Sequence, residues 1–165
     1  MNKARVPMVA WLIIFLTASG TGQAWPAPGV TVKGGWRIRV NDTQLTAGAG
    51  SRIRNCVNFG TAALSVSGAD RPDQAWRMDV RLGTTGLPRG MAVHIRRLSG
   101  GEGALNGGTA FMRLTQDRTP FFSGRGNIPH ILLELRLDGV SHRIQPDTYA
   151  LDIVYTITPV FAGGN

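Results

Sequence analysis

The sequence predicts an all-β fold: a single antiparallel β-sandwich of seven to nine strands with Greek-key or Ig-like connections. Three observations carry that expectation. Apolar residues recur with period two in run after run, the spacing of strands with one face buried and one in water. Clusters of Gly, Asn, Asp and Pro separate the runs. Beyond residues 1–24, no window sustains a helical stripe. Glycine supplies 22 of 165 residues, near twice the usual share of about 7 %, as frequent turns require.

The first element is an export signal over residues 1–24. Lys3 and Arg5 make a positive start, residues 8–16 run without a polar side chain, and Gly22 and Ala24 place small residues where a signal peptidase reads. The expected cut follows Ala24, with Ala18 and Gly20 as alternatives. An uncleaved anchor is the rival reading, but residues 6–18 fall short of the ~20 apolar positions a span needs. Residues 25–35 (WPAPGVTVKGG) hold two Pro and three Gly and read as an extended lead-in without core periodicity. Residues 36–160 are then the β-sandwich domain and 161–165 a tail.

Within the domain, Trp36, Ile38 and Val40 alternate with Arg37 and Arg39. Trp76, Met78, Val80 and Leu82 alternate with Arg77, Asp79 and Arg81, and Met91, Val93 and Ile95 with Ala92, His94 and Arg96. Ile131, Leu133, Leu135 and Leu137 alternate with Leu132, Glu134, Arg136 and Asp138. The last run sets Tyr149, Leu151, Ile153, Tyr155 and Ile157 against Ala150, Asp152, Val154 and Thr156. Weaker strands are expected at 53–59, 63–67, 111–115 and 121–123. Asp138-Gly139, between an apolar and a polar run, predicts a hairpin with a type I′ turn. Tyr149, after Pro146-Asp147-Thr148, reads either as a tyrosine corner or as an ordinary core tyrosine.

Residues 144–158 (IQPDTYALDIVYTIT) resemble the last strand of secreted Greek-key subunits of the spore coat protein U and fimbrial type. A Pro-x-x-Tyr turn precedes a terminal strand of alternating apolar and Thr/Val residues in both. The resemblance implies a Greek-key sandwich and speaks to fold, not to function. It covers the terminal strand alone, and such subunits commonly carry a disulfide pair, for which this chain has only Cys56.

The chemistry-bearing residues point away from catalysis. His94, His130 and His142 lie far apart, with no metal-ligand spacing. Ser99 lacks a nucleophile elbow, and Cys56, though near Arg52 and Arg54, is read as buried or as pairing between chains rather than as a nucleophile. Asp79, Glu134 and Asp152 fall on polar strand faces where pairing with Arg accounts for them. The Gly-rich segments 99–103 and 124–126 lack a following helix, so they read as turns and not as phosphate loops.

Charge gives the second functional lead. Lys+Arg number 18 and Asp+Glu 10, for a net +8; without Lys3 and Arg5 the chain keeps 16 basic and 10 acidic residues, or +6. Arg37, Arg39, Arg77, Arg81, Arg96 and Arg136 all fall on polar strand faces, and sharing one face would make them an anion-binding surface. The expectation is therefore an exported, non-enzymatic cell-envelope or extracellular protein, a fimbrial-like structural or adhesive subunit secreted, periplasmic or at the cell surface. Its partners are protein subunits or cell-surface components; it needs no cofactor, binds no nucleic acid and meets a membrane only during export. The alternative is a periplasmic or secreted domain that binds an anionic ligand or polysaccharide through those Arg residues.

Overall fold

The period-two runs become strands packed face to face. A computed structural model describes residues 28–33, 56–98, 105–140 and 151–160. Nine strands lie within them: β1 Gly29–Lys33, β2 Cys56–Ser67, β3 Ala75–Thr85, β4 Ala92–Arg97, β5 Leu105–Gly107, β6 Met112–Arg113, β7 Thr119–Arg125, β8 Ile128–Asp138 and β9 Leu151–Pro159. They form a five-stranded sheet, β1-β2-β8-β4-β6, and a four-stranded sheet, β5-β7-β3-β9. All pairings are antiparallel. β8 inserts between β2 and β4, and β3 between β7 and β9, the non-sequential neighbours of Greek-key wiring.

The expected apolar sets fill the space between the sheets. Trp76, Met78, Val80 and Leu82 of β3 are buried, as are Val93 and Ile95 of β4 and Ile131, Leu133, Leu135 and Leu137 of β8. Leu151, Ile153 and Tyr155 of β9 complete the core. Two short crossings fasten the sheets to each other. Gly108, after β5 of the smaller sheet, accepts from Arg97 N–H of β4 in the larger. Leu114, after β6, donates to Val93 O, while Thr115 O accepts from Leu82 N–H of β3.

Several elements differ from the sequence expectation, each for a local reason. The lead-in contains a strand: β1 pairs with β2 from Gly29↔Ser67 to Lys33↔Ala63 and buries Val30. The weak runs at 53–59 and 63–67 are one strand from Cys56 onward, its alternation broken by a register shift between Asn58 and Thr61. Residues 111–115 give only the two-residue β6 before crossing between sheets, whereas 121–123 extend into seven-residue β7. The Asp138-Gly139 turn is not type I′. That turn needs positive φ at both positions, and only Gly139 has it. Asp138 instead continues β8, paired to Ala92 and to Cys56. Gly139 is obligatory, because a side chain there would collide with the backbone of Gly90. Residues 36–40, the segments 53–55 and 99–104, the turn before Tyr149 and Tyr149 itself lie outside the described residues.

Trp76 anchors the smaller sheet. Its indole N–H donates to Gly126 O at 2.8 Å, and Phe122 meets its ring edge-on with centroids 6.0 Å apart. Gly124 leaves room for the ring, since a Cβ there would lie 2.5 Å from Trp76 Cζ2. Tyr155 is buried, with no hydrogen-bond partner for its hydroxyl among the described residues, and burial pushes that hydroxyl well above the usual phenol range.

Candidate interaction surfaces

Two polar sheet faces and one sheet edge could support function. On the outer face of the larger sheet, the register sets Arg96 opposite Glu134, and His94 between Arg136 on β8 and Arg113 on β6. Arg96 Nε lies 2.5 Å from Glu134 Oε2, the cross-strand pairing expected for that carboxylate. Arg136 reaches Asp138 at 3.1 Å, and His94 Nδ1 lies 3.3 Å from the same carboxylate without hydrogen-bond alignment. Phe111 closes the cluster from above. The guanidinium carbons of Arg96 and Arg136 lie 4.5 and 4.4 Å from its ring centroid, a double cation–π contact. Burial lowers the His94 pKa, and Arg136 and Arg113 add to that against the opposing pull of Asp138. Arg96 and Arg136 are thus neutralised and partly covered, which leaves Arg113 as the exposed cation without an ion pair among the described residues of this cluster.

The outer face of the smaller sheet is built around a buried charge. Asp79 alternates with Val80 and Met78 and so points away from the core, yet it is only 1 % exposed. Arg77 Nε lies 2.8 Å from its Oδ1 and Arg118 Nε 2.7 Å from its Oδ2. Arg118 comes from the segment leading into β7 and crosses β3 to reach Thr158 Oγ1 on β9 at 2.7 Å. Both arginine side chains stay near half exposed, at 49 % and 45 %. Sequence reasoning placed Asp79 on a wet face; two arginines laid over the carboxylate are what remove it from water. Arg81 follows two positions along β3, and Arg125 lies opposite Ala75 at the start of the strand. Neither makes an ion pair among the described residues.

The six arginines singled out from sequence therefore do not gather. Arg96 and Arg136 lie on the larger sheet, Arg77 and Arg81 on the smaller, and Arg37 and Arg39 outside the described residues. Alternation fixed which side of its own strand each residue takes, but the face it shares depends on strand order, which local sequence does not encode. Arg118 and Arg125 escape the alternation pattern because one precedes a strand without periodicity and the other lies inside a Gly-rich turn signal.

The edge of interest is β9. Val160 N–H donates to Ala75 O, which sets the ladder phase so that Thr158, Thr156 and Val154 bond to β3. Ile153, Tyr155 and Ile157 turn their backbone N–H and C=O to the opposite side, where no strand pairs among the described residues, although β1 lies close by and Ile153 and Tyr155 are buried, which leaves the Ile157 end as the accessible part of the edge. The other edges are β1, ending in Lys33, the three-residue β5 and the two-residue β6.

Among the described residues, no three His, Cys, Asp or Glu side chains are placed to hold a metal ion. No helix there is long and apolar enough to cross a membrane. Comparison with protein families, curated proteins and solved structures finds no match.

Proposed function

We propose that the protein is an exported, non-enzymatic β-sandwich subunit of the cell envelope or extracellular space, which assembles with further copies of itself by strand pairing at β9. The observation that carries this reading is the nine-residue edge at Leu151–Pro159. Edge strands are commonly protected by shortness, lysine, proline or bulges. β5 and β6 are short and β1 ends in Lys33, whereas β9 has no basic residue and places its one Pro at the last position. Of its edge-facing residues Ile153 and Tyr155 are buried, so Ile157, which is partly exposed, is the position where a second copy meets unpaired N–H and C=O groups.

The test uses the chain without residues 1–24 and an Ile157→Pro variant. Proline at 157 removes an N–H that faces the edge and none that bonds to β3. Size exclusion and native mass spectrometry should find oligomers for the wild type and monomers for the variant, with unchanged near-UV circular dichroism. A wild type that stays monomeric at tens of micromolar overturns the reading. A second reading, recognition of an anionic ligand, is favoured by the arginines held over Asp79.

A further inference from the structure

We infer that the outer face of the smaller sheet is a binding site for a linear acidic polysaccharide, with Arg125, Arg77, Arg118 and Arg81 as a ladder of cations along β3 and Asp79 as the residue that positions its centre. This rests on the anion-binding reading above and gives it a place and a ligand class. The larger sheet's cluster is the weaker candidate, because its two central arginines are already paired to Glu134 and Asp138 and stacked on Phe111.

The register makes the ladder. Outward positions along β3 are Ala75, Arg77, Asp79 and Arg81. Arg125 sits beside the first, Arg77 is the second, Arg118 lies over the third, and Arg81 is the fourth. Same-face positions in an antiparallel strand are about 6.8 Å apart, so the four cations span roughly 20 Å in one line. An extended polymer with a charge on each repeat fits a row of that kind better than a single small anion does.

The two central guanidiniums are fixed in advance. Each gives its Nε–H to the Asp79 carboxylate, and Arg118 gives a further N–H to Thr158. Their Nη1 groups make no hydrogen bond among the described residues. Asp79 cancels one positive charge but removes the rotamer freedom that two long side chains would otherwise lose on binding. Ser123 and Thr158 flank Arg77, and Thr156 flanks Asp79, on the same face, which offers hydroxyls to sugar hydroxyls and ring oxygens. Trp76, Phe121 and Phe122 are all buried, so no aromatic ring of these strands is available to stack on a base. That favours an acidic polysaccharide over a single-stranded nucleic acid.

The test titrates the chain lacking residues 1–24 with heparin, as a sulfated probe, and with alginate, as a carboxylated one, over a range of salt. Arg81→Gln/Arg125→Gln removes the two ladder cations that make no ion pair among the described residues, without touching Asp79, and should weaken binding on the order of tenfold at low salt and flatten the salt slope. Asp79→Asn keeps every cation but frees the central pair. It should weaken binding several-fold without lowering the salt slope, a split that lost charge cannot produce. Arg113→Gln, on the other sheet, should bind as wild type does, and thermal unfolding confirms that each variant is folded. Wild-type affinity in Arg81→Gln/Arg125→Gln, or an equal loss in Arg113→Gln, overturns this site while leaving anion recognition in place. No binding of either polymer at low salt overturns both. Tighter binding to a DNA single strand of matched charge overturns the polysaccharide assignment.

Discussion

Asp79 is the residue on which the smaller sheet's outer face depends. A carboxylate at 1 % exposure is stable only while its partners hold it. Arg77 and Arg118 are near half exposed, so each alone sits in a well-screened environment and contributes less than a buried pair would. Arg118→Ala leaves Arg77 in place and should cost about 1–2 kcal/mol. Arg77→Ala/Arg118→Ala leaves the carboxylate uncompensated and should cost about 3–5 kcal/mol, more than the sum of the single variants. Urea unfolding of Arg77→Ala, Arg118→Ala and the double variant measures this, and strict additivity would mean that water reaches Asp79. His94 responds to pH through the opposite physics. Desolvation, helped by Arg136 and Arg113, holds its pKa below the ordinary 6.5 despite Asp138. Between that lowered value and 6.5 the unfolded chain binds more protons than the folded one. Stability is therefore complete above the unfolded pKa and declines as pH falls through this window. The unfolding midpoint should drop more for wild type than for His94→Gln between about pH 7.5 and about pH 5.5, and equal drops would assign the slope to other groups.

At the scale of elements, the strands differ in how firmly they are held and in how openly the sequence announces them. Among the described residues β1 hydrogen-bonds to β2 alone and puts one buried strand side chain, Val30, into the core. It should open locally while the rest of the sandwich stays closed. Val30→Asp buries an unpaired carboxylate at that point and should release the β1 amides and the β2 amides bonded to them to fast hydrogen exchange. The amides of β3 and β8 should stay protected, and loss of protection there would make β1 part of the global folding unit. β3, β4, β8 and β9 were legible because each alternates over five or more residues with one face wholly apolar. β1 was not, because Val30 and Val32 are only two apolar positions between glycines and prolines. β5 and β6 are too short to show a period at all, and the sequence of β2 reads as two pieces because the register slip between Asn58 and Thr61 breaks its alternation. The candidate site was legible in the same proportion. Arg77 and Arg81 follow from the period of β3, while Arg118 reaches the site from the crossing segment, whose destination is a property of the tertiary fold.

The whole molecule carries a net charge of +8, and that surplus acts differently from the ion pairs. Like charges spread over a small domain repel across distances that salt readily screens: the Debye length shrinks from about 30 Å at 0.01 M to about 8 Å at 0.15 M. The ion pairs with structural weight are close and sheltered. Their carboxylates, Asp79 and Glu134, are 1 % and 15 % exposed and the charges lie well within a Debye length of each other, so salt weakens these pairs less than it weakens long-range repulsion, whereas the exposed pair Arg71–Asp73, at 4.0 Å, has little to lose. Screening therefore removes more repulsion than attraction, and the unfolding midpoint should rise by a few degrees between those two ionic strengths. A midpoint that falls instead would mean that attractive surface pairs outweigh the net charge. Bound polyanion adds a separate increment. A ligand that prefers the folded face stabilises by RT ln(1 + [L]/Kd), about 2.7 kcal/mol at a hundredfold excess over Kd. At fixed ionic strength, heparin should raise the midpoint further for wild type than for Arg81→Gln/Arg125→Gln. An equal rise in both would mean that Arg81 and Arg125 do not meet the polymer, whereas the same reduction in Arg113→Gln would trace the effect to diffuse net charge, because only an ordered row of cations along β3 makes stabilisation depend on which arginines remain.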